Sequence, residues 1–379
     1  MKRGPQGTWV KRTEVEAHRA FVPHALPPVP AIDFASLAAS TERANRALGR
    51  LDGVSMMLPD PKLFLSFCVR KEAVRSSQLS GTQTSLSDLL LSELGELPAA
   101  QQAEAQEVSR CVEASDQAMN LLRGGLPLST RFIREVHEVL LPSSRTPSKQ
   151  PGGFRRAPVW MGGASPAEAI FVAPPWNEVA RCMFELENSL DDPNLPTLIK
   201  AALVHAQFET IHPFLEGNGR IGRVLISVML VREKALSEPW LSLSQYFRQH
   251  RQQYVDLLQG TRETGEWEAW LEFFLHAVEV TAEYAQFTAR KMLALFAEHE
   301  ARIARVKGPA RRGVVAVYRQ LQQHPLSDLK ILSVAAGMKP PSTLKALERL
   351  IKLGIARRQG NRLFSYTPLV DLLQNDLPL

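Results

Sequence analysis

Apolar residues recur every three or four positions along most of this chain, a spacing that predicts amphipathic α-helices. Glycine, proline or polar clusters separate the apolar segments and mark their ends. The helices predicted before residue 300 cover residues 33–51, 60–75, 85–97, 101–122, 129–141, 176–190, 197–211, 218–233, 242–258 and 266–299.

Two stretches of this region break the helical pattern. Residues 1–33 are rich in proline, which keeps the chain extended, so we expect an irregular arm there. Residues 142–176 are dense in glycine and proline and contain two short apolar pieces, 157–161 and 170–172. This composition predicts a β-hairpin inserted into an otherwise helical region.

The pattern changes again after a Gly-Pro linker at residues 307–309. Three short helical segments precede two strands that flank a tight turn. They cover residues 314–323, 328–336, 342–353, 355–359 and 363–366, with Gly360-Asn361 as the turn. Three helices and a hairpin predict a small winged helix-turn-helix. We therefore expect a mainly α fold with one inserted hairpin and a small C-terminal winged module.

Composition is ordinary for a globular protein, with 45% hydrophobic and 22% charged residues. The longest apolar run, residues 224–231, is far too short for a membrane span. Residues 1–14 are polar and charged, so we expect no signal peptide and no membrane partner. The three scattered cysteines, Cys68, Cys111 and Cys182, fit small buried side chains that stay reduced in the cytoplasm.

Charge is unevenly distributed along the chain. The formal net charge is +6, yet residues 301–379 alone hold 14 Lys and Arg against 4 Asp and Glu. The rest of the chain is therefore mildly acidic. A basic C-terminal module indicates nucleic acid or another polyanion as a partner, although its basic residues are also consistent with a solvated face.

The most informative string is residues 212–223, which read His-Pro-Phe-Leu-Glu-Gly-Asn-Gly-Arg-Ile-Gly-Arg. The preceding helix must end near His212, because a residue before proline is pushed out of the α region. Gly217 and Gly219 let the backbone turn tightly, so successive N–H groups can point at an anion. The next helix begins there and adds the partial positive charge of its N-terminus.

The side chains of this string fit phosphate chemistry. Arg220 and Arg223 are three residues apart and share one helix face, where guanidinium groups suit phosphate oxygens. Glu216 is a hard oxygen ligand of the kind Mg²⁺ uses together with substrate phosphates. The imidazole of His212, with an ordinary pKa of about 6.5, suits removal of a proton from a hydroxyl. Together these groups predict transfer of a phosphoryl-type group.

The string resembles the signature of the Fic-domain nucleotidyltransferases, and the resemblance extends over roughly residues 20–370. The lead-in Phe208-Glu209-Thr210-Ile211 is similar to that of the family. Residues 159–163 and 169–175 resemble its flap hairpin, so the resemblance implies that Ile170, Phe171 and Val172 bind the target. It also implies an N-terminal region at residues 1–110, a Fic catalytic core at residues 111–300 and a winged-helix-like domain at residues 307–379.

The resemblance implies a protein adenylyltransferase, which transfers AMP from ATP to a Ser, Thr or Tyr hydroxyl of a target protein and of itself. It makes His212 the base and Glu216 the Mg²⁺ ligand. The nucleotide-binding residues implied are Gly217, Asn218, Gly219, Arg220 and Arg223.

One position departs from the family. Many Fic proteins carry an inhibitory helix in which a Ser or Thr is followed, four residues later, by a Glu and then a Gly or Asn. Ser76 and Gly81 fit this pattern, but Ser80 stands where Glu belongs. Serine cannot form the ion pair that Glu makes with Arg223. We expect Ser80 to be too short and uncharged to hold Arg223, so the chain should be released from autoinhibition.

A second class of function stays open from the sequence: a DNA-binding regulator whose Fic-like core senses a nucleotide. The basic C-terminal region favours it, and the complete catalytic string argues against it. DNA and protein docking through residues 307–379, other nucleotide donors, and a homodimer are also open.

Overall fold

Helices dominate the computed structural model, which describes residues 2–11, 19–141, 150–360 and 362–375. The first eleven are α1 Phe34–Met56, α2 Pro61–Leu79, α3 Leu86–Glu93, α4 Ala99–Arg123, α5 Thr130–Leu140, α6 Val179–Leu190, α7 Thr197–Ile211, α8 Asn218–Arg232, α9 Leu243–Gln249, α10 Arg251–Glu263 and α11 Trp267–Ala304. The mainly helical prediction is confirmed. Residues 142–149 of the predicted break and Asn361 of the predicted turn lie outside the described residues.

Polar residues start several of these helices. Asp33, Asp60, Ser85 and Ser129 each accept a main-chain N–H from the first turn of the helix that follows. Such caps satisfy donors that have no partner inside the helix. The sequence pattern therefore placed these starts within one or two residues.

Helix α7 lies at the centre of the core. Every residue from Leu198 to Ile211 is buried, including Lys200 and His205. It packs against α6 and α8 and also contacts α10 and α11, while α1 lies along α11. The string of residues 212–223 begins where this central helix ends. The most constrained part of the core therefore fixes the position of that string.

The N-terminal arm is not irregular throughout, and that expectation was wrong. Strands β1 (Gly7–Lys11) and β2 (Arg19–Pro23) form an antiparallel hairpin in which Trp9 lies opposite Phe21. Phe21 is buried, and its ring contacts those of Trp9 and Phe171 with centroids 5.0 and 6.1 Å away. Prolines dominate the composition only after β2, so they hid the short apolar strands before them.

The predicted helix 242–258 is also two helices rather than one. α9 ends at Gln249 and α10 starts at Arg251, with His250 between them outside helical geometry. The ring of His250 lies 4.2 Å from that of Tyr246. The apolar spacing continues across this joint, so periodicity alone does not reveal it.

The inserted hairpin lies where it was predicted. Strands β3 (Trp160–Met161) and β4 (Phe171–Val172) pair antiparallel, with Met161 opposite Phe171. Strand β4 contacts β2, so the N-terminal hairpin supports the inserted one.

The C-terminal region contains the predicted helices and strands. It also contains a strand at Leu326–Asp328 and a helix at Thr367–Gln374 that were not predicted. Its elements are α12 Ala310–Gln323, β5 Leu326–Asp328, α13 Leu329–Ala335, α14 Pro340–Lys352, β6 Arg357–Gln359, β7 Leu363–Ser365 and α15 Thr367–Gln374. The three strands form an antiparallel sheet in the order β5-β7-β6. The winged helix-turn-helix assignment stays a prediction.

Two further findings concern the cysteines and the hydrophobicity of the helices. The three cysteines are free and buried, as expected for small core residues. Among the described residues, no helix is both long and apolar enough to cross a membrane.

Candidate active site

The site is built on the turn that joins α7 to α8. His212 caps α7 in the left-handed conformation (φ 51°, ψ 60°), and its N–H donates to Phe208 O at 2.9 Å. Its side chain is 17% exposed. The sharp turn after Ile211, which the following proline predicts, directs this imidazole out of the core.

Hydrogen bonds from Asn218 close the loop. Its Oδ1 accepts from Phe214 N at 2.9 Å, and its Nδ2 donates to Phe214 O at 2.8 Å. The Asn218 side chain is therefore committed to holding the loop. Its main-chain N–H lies in the first turn of α8, where it can contribute to an anion cradle.

His137 of α5, which was not among the predicted site residues, supports the loop. Its ring stacks on Phe214 with centroids 3.6 Å apart. Its Nδ1 accepts from Gly152 N at 3.0 Å, so Nε2 carries the proton and donates to Glu216 O at 3.0 Å. Burial lowers the pKa of His137 to about 4 and keeps the ring neutral in this role. Histidine on an apolar helix face carries no signal that distinguishes such a support from an ordinary core residue.

The two glycines of the cradle have different roles. Gly217 has φ 80° and precedes α8, so it makes the turn, and a Cβ there would lie 2.8 Å from Leu140 Cδ2. Gly219 has helical geometry, and a Cβ there would lie 2.9 Å from Arg223 Nη1. Gly219 is therefore needed for the close approach of a guanidinium, and the expectation that it makes the turn was wrong.

One cleft of about 440 Å³ collects the residues of the string. Its walls include His212, Glu216, Gly217, Asn218, Gly219, Arg220 and Arg223. The rest of the lining is Leu79 at the end of α2, Ser80 directly after it, Met161 of the inserted hairpin, Glu209 of α7, and Arg251, Tyr254 and Val255 of α10. The structure therefore brings together in one cavity the side chains that the sequence placed in one string.

Arg220 is buried yet incompletely bonded. Its Nη1 lies 3.7 Å from Glu107 Oε2, and its Nε is a buried donor without a hydrogen-bond acceptor among the described residues. A buried donor of this kind costs free energy unless an acceptor reaches it. An anion in the cleft is a suitable acceptor.

Arg223 is held by the C-terminal end of α2. Its Nε donates to Ser76 Oγ at 2.8 Å, and its Nη2 donates to Ser76 O at 2.9 Å and to Ser80 Oγ at 3.1 Å. The expectation that Ser80 is too short to hold Arg223 was therefore wrong in its geometry, because the hydroxyl reaches the guanidinium. The release from autoinhibition stays a prediction. Ser80 supplies a neutral acceptor and no charge. Gly81 follows with φ 118°, a conformation that favours glycine.

A polar network extends from the cleft into the core, starting at Glu209. Glu209 is buried with its Oε1 unbonded among the described residues, and its Oε2 lies 3.9 Å from His212 Nδ1. Arg262 Nε donates to Thr210 Oγ1 at 3.0 Å. His205 is a buried core histidine, and its Nε2 lies 2.9 Å from Tyr254 Oη. Burial raises the pKa of the Glu209 carboxyl, and Arg223 and Arg262 act in the opposite direction.

The imidazole of His212 is uncharged in this setting. Burial first, and the positive charge of Arg155 second, lowers the pKa of His212 to about 3. His212 Nδ1 lies 3.4 Å from the main-chain oxygen of Glu209, which is suited to accept its proton. Nε2 is then an acceptor at neutral pH.

The inserted hairpin presents its predicted target-binding residues unequally. Ile170 is 66% exposed, whereas Phe171 and Val172 are buried. The ring of Phe171 lies 3.9 Å from the guanidinium carbon of Arg262. Of these three side chains, that of Ile170 is therefore the one accessible from solvent, and Phe171 anchors the hairpin to the core.

No group of three or more His, Cys, Asp or Glu residues is arranged to hold a metal within the described ranges. Glu216 is exposed and lines the cleft beside the main chain of Gly217 and Gly219. A single carboxylate beside a phosphate cradle fits Mg²⁺, because this ion takes one or two carboxylates and fills its shell with phosphates and water.

This fold and site define a helical protein with an anion cradle at a helix N-terminus and a neutral histidine beside it. The Fic/DOC family N-terminal model matches residues 38–120, and the Fic/DOC family model matches residues 127–230. The chain is a Fic-domain protein.

Curated relatives match a shorter part of the chain. A protein of Aquifex aeolicus named "Probable protein adenylyltransferase" is 29% identical over 114 residues, 30% of this chain and 32% of that protein. The protein adenylyltransferase Fic of Drosophila grimshawi is 33% identical over 110 residues, 28% of this chain and 21% of that protein. The matched part thus spans about a third or less of these relatives.

Solved structures agree on the fold. A Fic family protein from Desulfovibrio desulfuricans has a TM-score of 0.59 at 19% identity, covering 90% of this chain and 98% of that chain. A Fic domain containing signaling protein from Bacteroides thetaiotaomicron has a TM-score of 0.53 at 18% identity, covering 65% and 95%. At these identities the likeness shows the fold alone.

The geometry of Gly217 gives a test of the cradle. We expect Gly217→Ala to destabilise the protein by about 1–3 kcal/mol more than Gly95→Ala, measured by urea unfolding. Both glycines have positive φ, but a Cβ at Gly95 meets nothing within 4 Å, so the difference isolates the contact with Leu140. Equal destabilisation by the two variants would show that the loop accommodates the added Cβ with no extra loss of unfolding free energy.

Proposed function

We propose that this protein is a protein adenylyltransferase, which transfers AMP from ATP to a Ser, Thr or Tyr hydroxyl of a target protein and of itself. The observation that carries the proposal is the single cleft in which His212 stands beside the α8 N-terminus, Arg220 and Arg223. The relatives named protein adenylyltransferase support the choice of reaction.

The reaction begins with the target hydroxyl. His212 Nε2 accepts the hydroxyl proton, and the oxygen attacks the α-phosphorus of ATP. A new bond forms between that oxygen and the α-phosphorus, the bond from the α-phosphorus to the bridging oxygen breaks, and pyrophosphate leaves. Because the ring is neutral before the step, no prior loss of a proton is required.

The cradle stabilises the charge that develops on the phosphates. Main-chain N–H groups at Gly217 to Gly219 and the helix N-terminus suit the α- and β-phosphates. The guanidinium groups of Arg220 and Arg223 suit the β- and γ-phosphates. Glu216 would hold Mg²⁺, which supplies further positive charge to the phosphates when bound.

The inserted hairpin suits the target chain. β3 and β4 are each two residues long and lie beside the cleft, with Met161 in its lining. An extended target segment that pairs with such an edge would bring its hydroxyl toward His212.

His212→Ala should lower self-modification with α-labelled ATP by roughly 10²- to 10⁴-fold, because the base is lost. ATP affinity, measured by calorimetry, should change by less than about threefold, since the cradle remains. His276→Ala, at an exposed histidine of α11, is the matched control and should retain the parent rate. A fall in affinity as large as the fall in rate would make His212 a binding residue.

The contact between α2 and Arg223 supports a state released from autoinhibition. Ser80 Oγ meets Arg223 at 3.1 Å, so the serine competes with a phosphate only through a neutral hydrogen bond. A carboxylate at this position would add charge to the same contact. Hydrogen bonds to charged groups contribute about 1.5–3 kcal/mol, roughly ten- to a hundredfold in occupancy.

Ser80→Glu should therefore reduce self-modification by roughly ten- to a hundredfold in the presence of Mg²⁺ and α-labelled ATP. Ser80→Gln is the control, because it has almost the same shape and lacks the charge. Labelling should fall much less in that variant. Equal labelling by the Glu and Gln variants would show that charge at the end of α2 does not gate Arg223.

A second candidate function concerns the C-terminal region. Arg312 of α12 and Lys345 and Arg349 of α14 line a groove of about 480 Å³, and the three side chains are exposed. With Arg357, Arg358 and Arg362 of the β6–β7 hairpin also exposed, this face suits the phosphates of DNA. DNA docking here is compatible with catalysis, because the catalytic string lies elsewhere.

DNA docking predicts that the full chain binds duplex DNA with an affinity that falls as salt rises. Arg349→Ala should make the plot of log affinity against log salt concentration less steep by about one unit of slope, which corresponds to the loss of one phosphate contact. Arg50→Ala, at an exposed arginine of α1, should leave the slope unchanged. Absence of DNA binding at low salt would point to a protein partner for this face.

A further inference from the structure

Arg155 is a buried arginine that neither the catalytic string nor the family signature assigns to a role. It lies between α5 and β3 and is 1% exposed. Its Nε donates to His212 O at 2.7 Å, and its Nη2 donates to Ile211 O at 3.2 Å. Its own N–H donates to Pro213 O at 2.9 Å. One residue thus holds three consecutive carbonyls around the proposed base.

The same guanidinium also holds both sides of the inserted hairpin. Nη2 donates to Pro174 O at 2.7 Å, just after β4, and Nη1 donates to Ala157 O at 3.1 Å, before β3. The planar fork of arginine offers five donors in fixed directions, so its bonds to two segments fix their relative position. Arg155 therefore joins the catalytic loop to the hairpin on which a target would lie.

The bonded carbonyls lie where a cation is most effective. Ile211 and His212 end α7, where main-chain oxygens lack helical partners and carry partial negative charge. His212 also adopts a left-handed conformation, which costs a non-glycine residue about 1 kcal/mol. Contacts from outside the loop must maintain this conformation, because the isolated chain disfavours it.

We propose that Arg155 is a positioning residue that fixes the imidazole of His212 relative to the inserted hairpin by clamping the carbonyls of both. The effect of Arg155 on the reaction rate rests on the proposed AMP transfer. The effect of Arg155 on the structure and titration of His212 does not rest on that proposal.

The charge of Arg155 has a second effect on the same ring. After burial, it is the largest cause of the lowered pKa of His212, and Arg262 of α10 acts in the same direction. Glu209 faces the ring from α7, and Glu216 and Arg220 line the same cleft. Removing the Arg155 charge should therefore raise the pKa of His212, whereas a lysine should largely preserve it.

Two variants separate the fork from the charge. Arg155→Lys keeps the positive charge but loses the planar set of donors, and Arg155→Gln loses both. Arg156→Lys and Arg156→Gln are the matched controls, because the neighbouring side chain is exposed. Circular dichroism and thermal unfolding of all four full-length variants establish which of them are folded.

The kinetic measurement is the rate of self-modification under single turnover with α-labelled ATP and Mg²⁺, across pH. We expect Arg155→Lys to lower the maximal rate by roughly ten- to a hundredfold, because misplacement of reacting groups by about 1 Å costs on that order. ATP affinity by calorimetry should change by less than about threefold. The acid limb of the rate profile should stay in place for Arg155→Lys and move to higher pH for Arg155→Gln.

The second readout needs no activity. With ¹³C-labelled histidine, the midpoint of the NMR titration of the His212 Cε1 signal should move to higher pH for Arg155→Gln. For Arg155→Lys the midpoint should stay near that of the parent. A parent that binds ATP but transfers nothing would reject the proposed reaction and leave this readout valid. Rates and titrations like those of the Arg156 controls, or an affinity loss equal to the rate loss, would overturn the role of Arg155.

Discussion

The tight turn between two buried helices, made with His212 and Gly217 both left-handed, is the constraint on which this site depends. α7 must stop before Pro213, and α8 must begin a few residues later, at Asn218. The chain meets this demand by placing His212 at φ 51° and by closing the loop through Asn218 and Phe214. The proposed base and the proposed anion cradle are therefore products of one turn. Any change that relaxes the turn affects both.

The interior around this turn is unusually polar for a core. Arg155, Arg223 and Arg262 are buried, and so are Glu209 and His205. Burial of charge is costly unless hydrogen bonds satisfy it, and here main-chain carbonyls and serine hydroxyls provide many of the acceptors. The arrangement keeps His212 neutral while it surrounds the cleft with fixed positive charge. Such preorganised charge suits binding of a polyanion and proton transfer within one cavity.

Helix α2 connects the cleft to the C-terminal region. Its last turn holds Arg223 through Ser76 and Ser80. On another face, Lys71 Nζ donates to Asn375 O at 2.7 Å, and Arg75 Nη2 donates to Gln374 O at 3.3 Å. The helix that meets the proposed triphosphate site therefore also receives the end of α15. The position of α2 is therefore fixed by contacts with both the cleft and the end of α15, in addition to its packing in the core.

Local patterns in the sequence determined most of the helices and the identity of the catalytic string. Helix 197–211 agrees with α7 because the helical spacing of its apolar residues and the proline after His212 are both local signals. The tertiary structure alone decided what surrounds the string. The contact of the N-terminal hairpin with Phe171, the three-residue strand β5, and the contacts of His137 and Arg155 depend on partners far away in the chain. The reach of Ser80 to Arg223 was likewise decided by packing, because hydrogen bonds between distant segments leave no periodicity in the sequence.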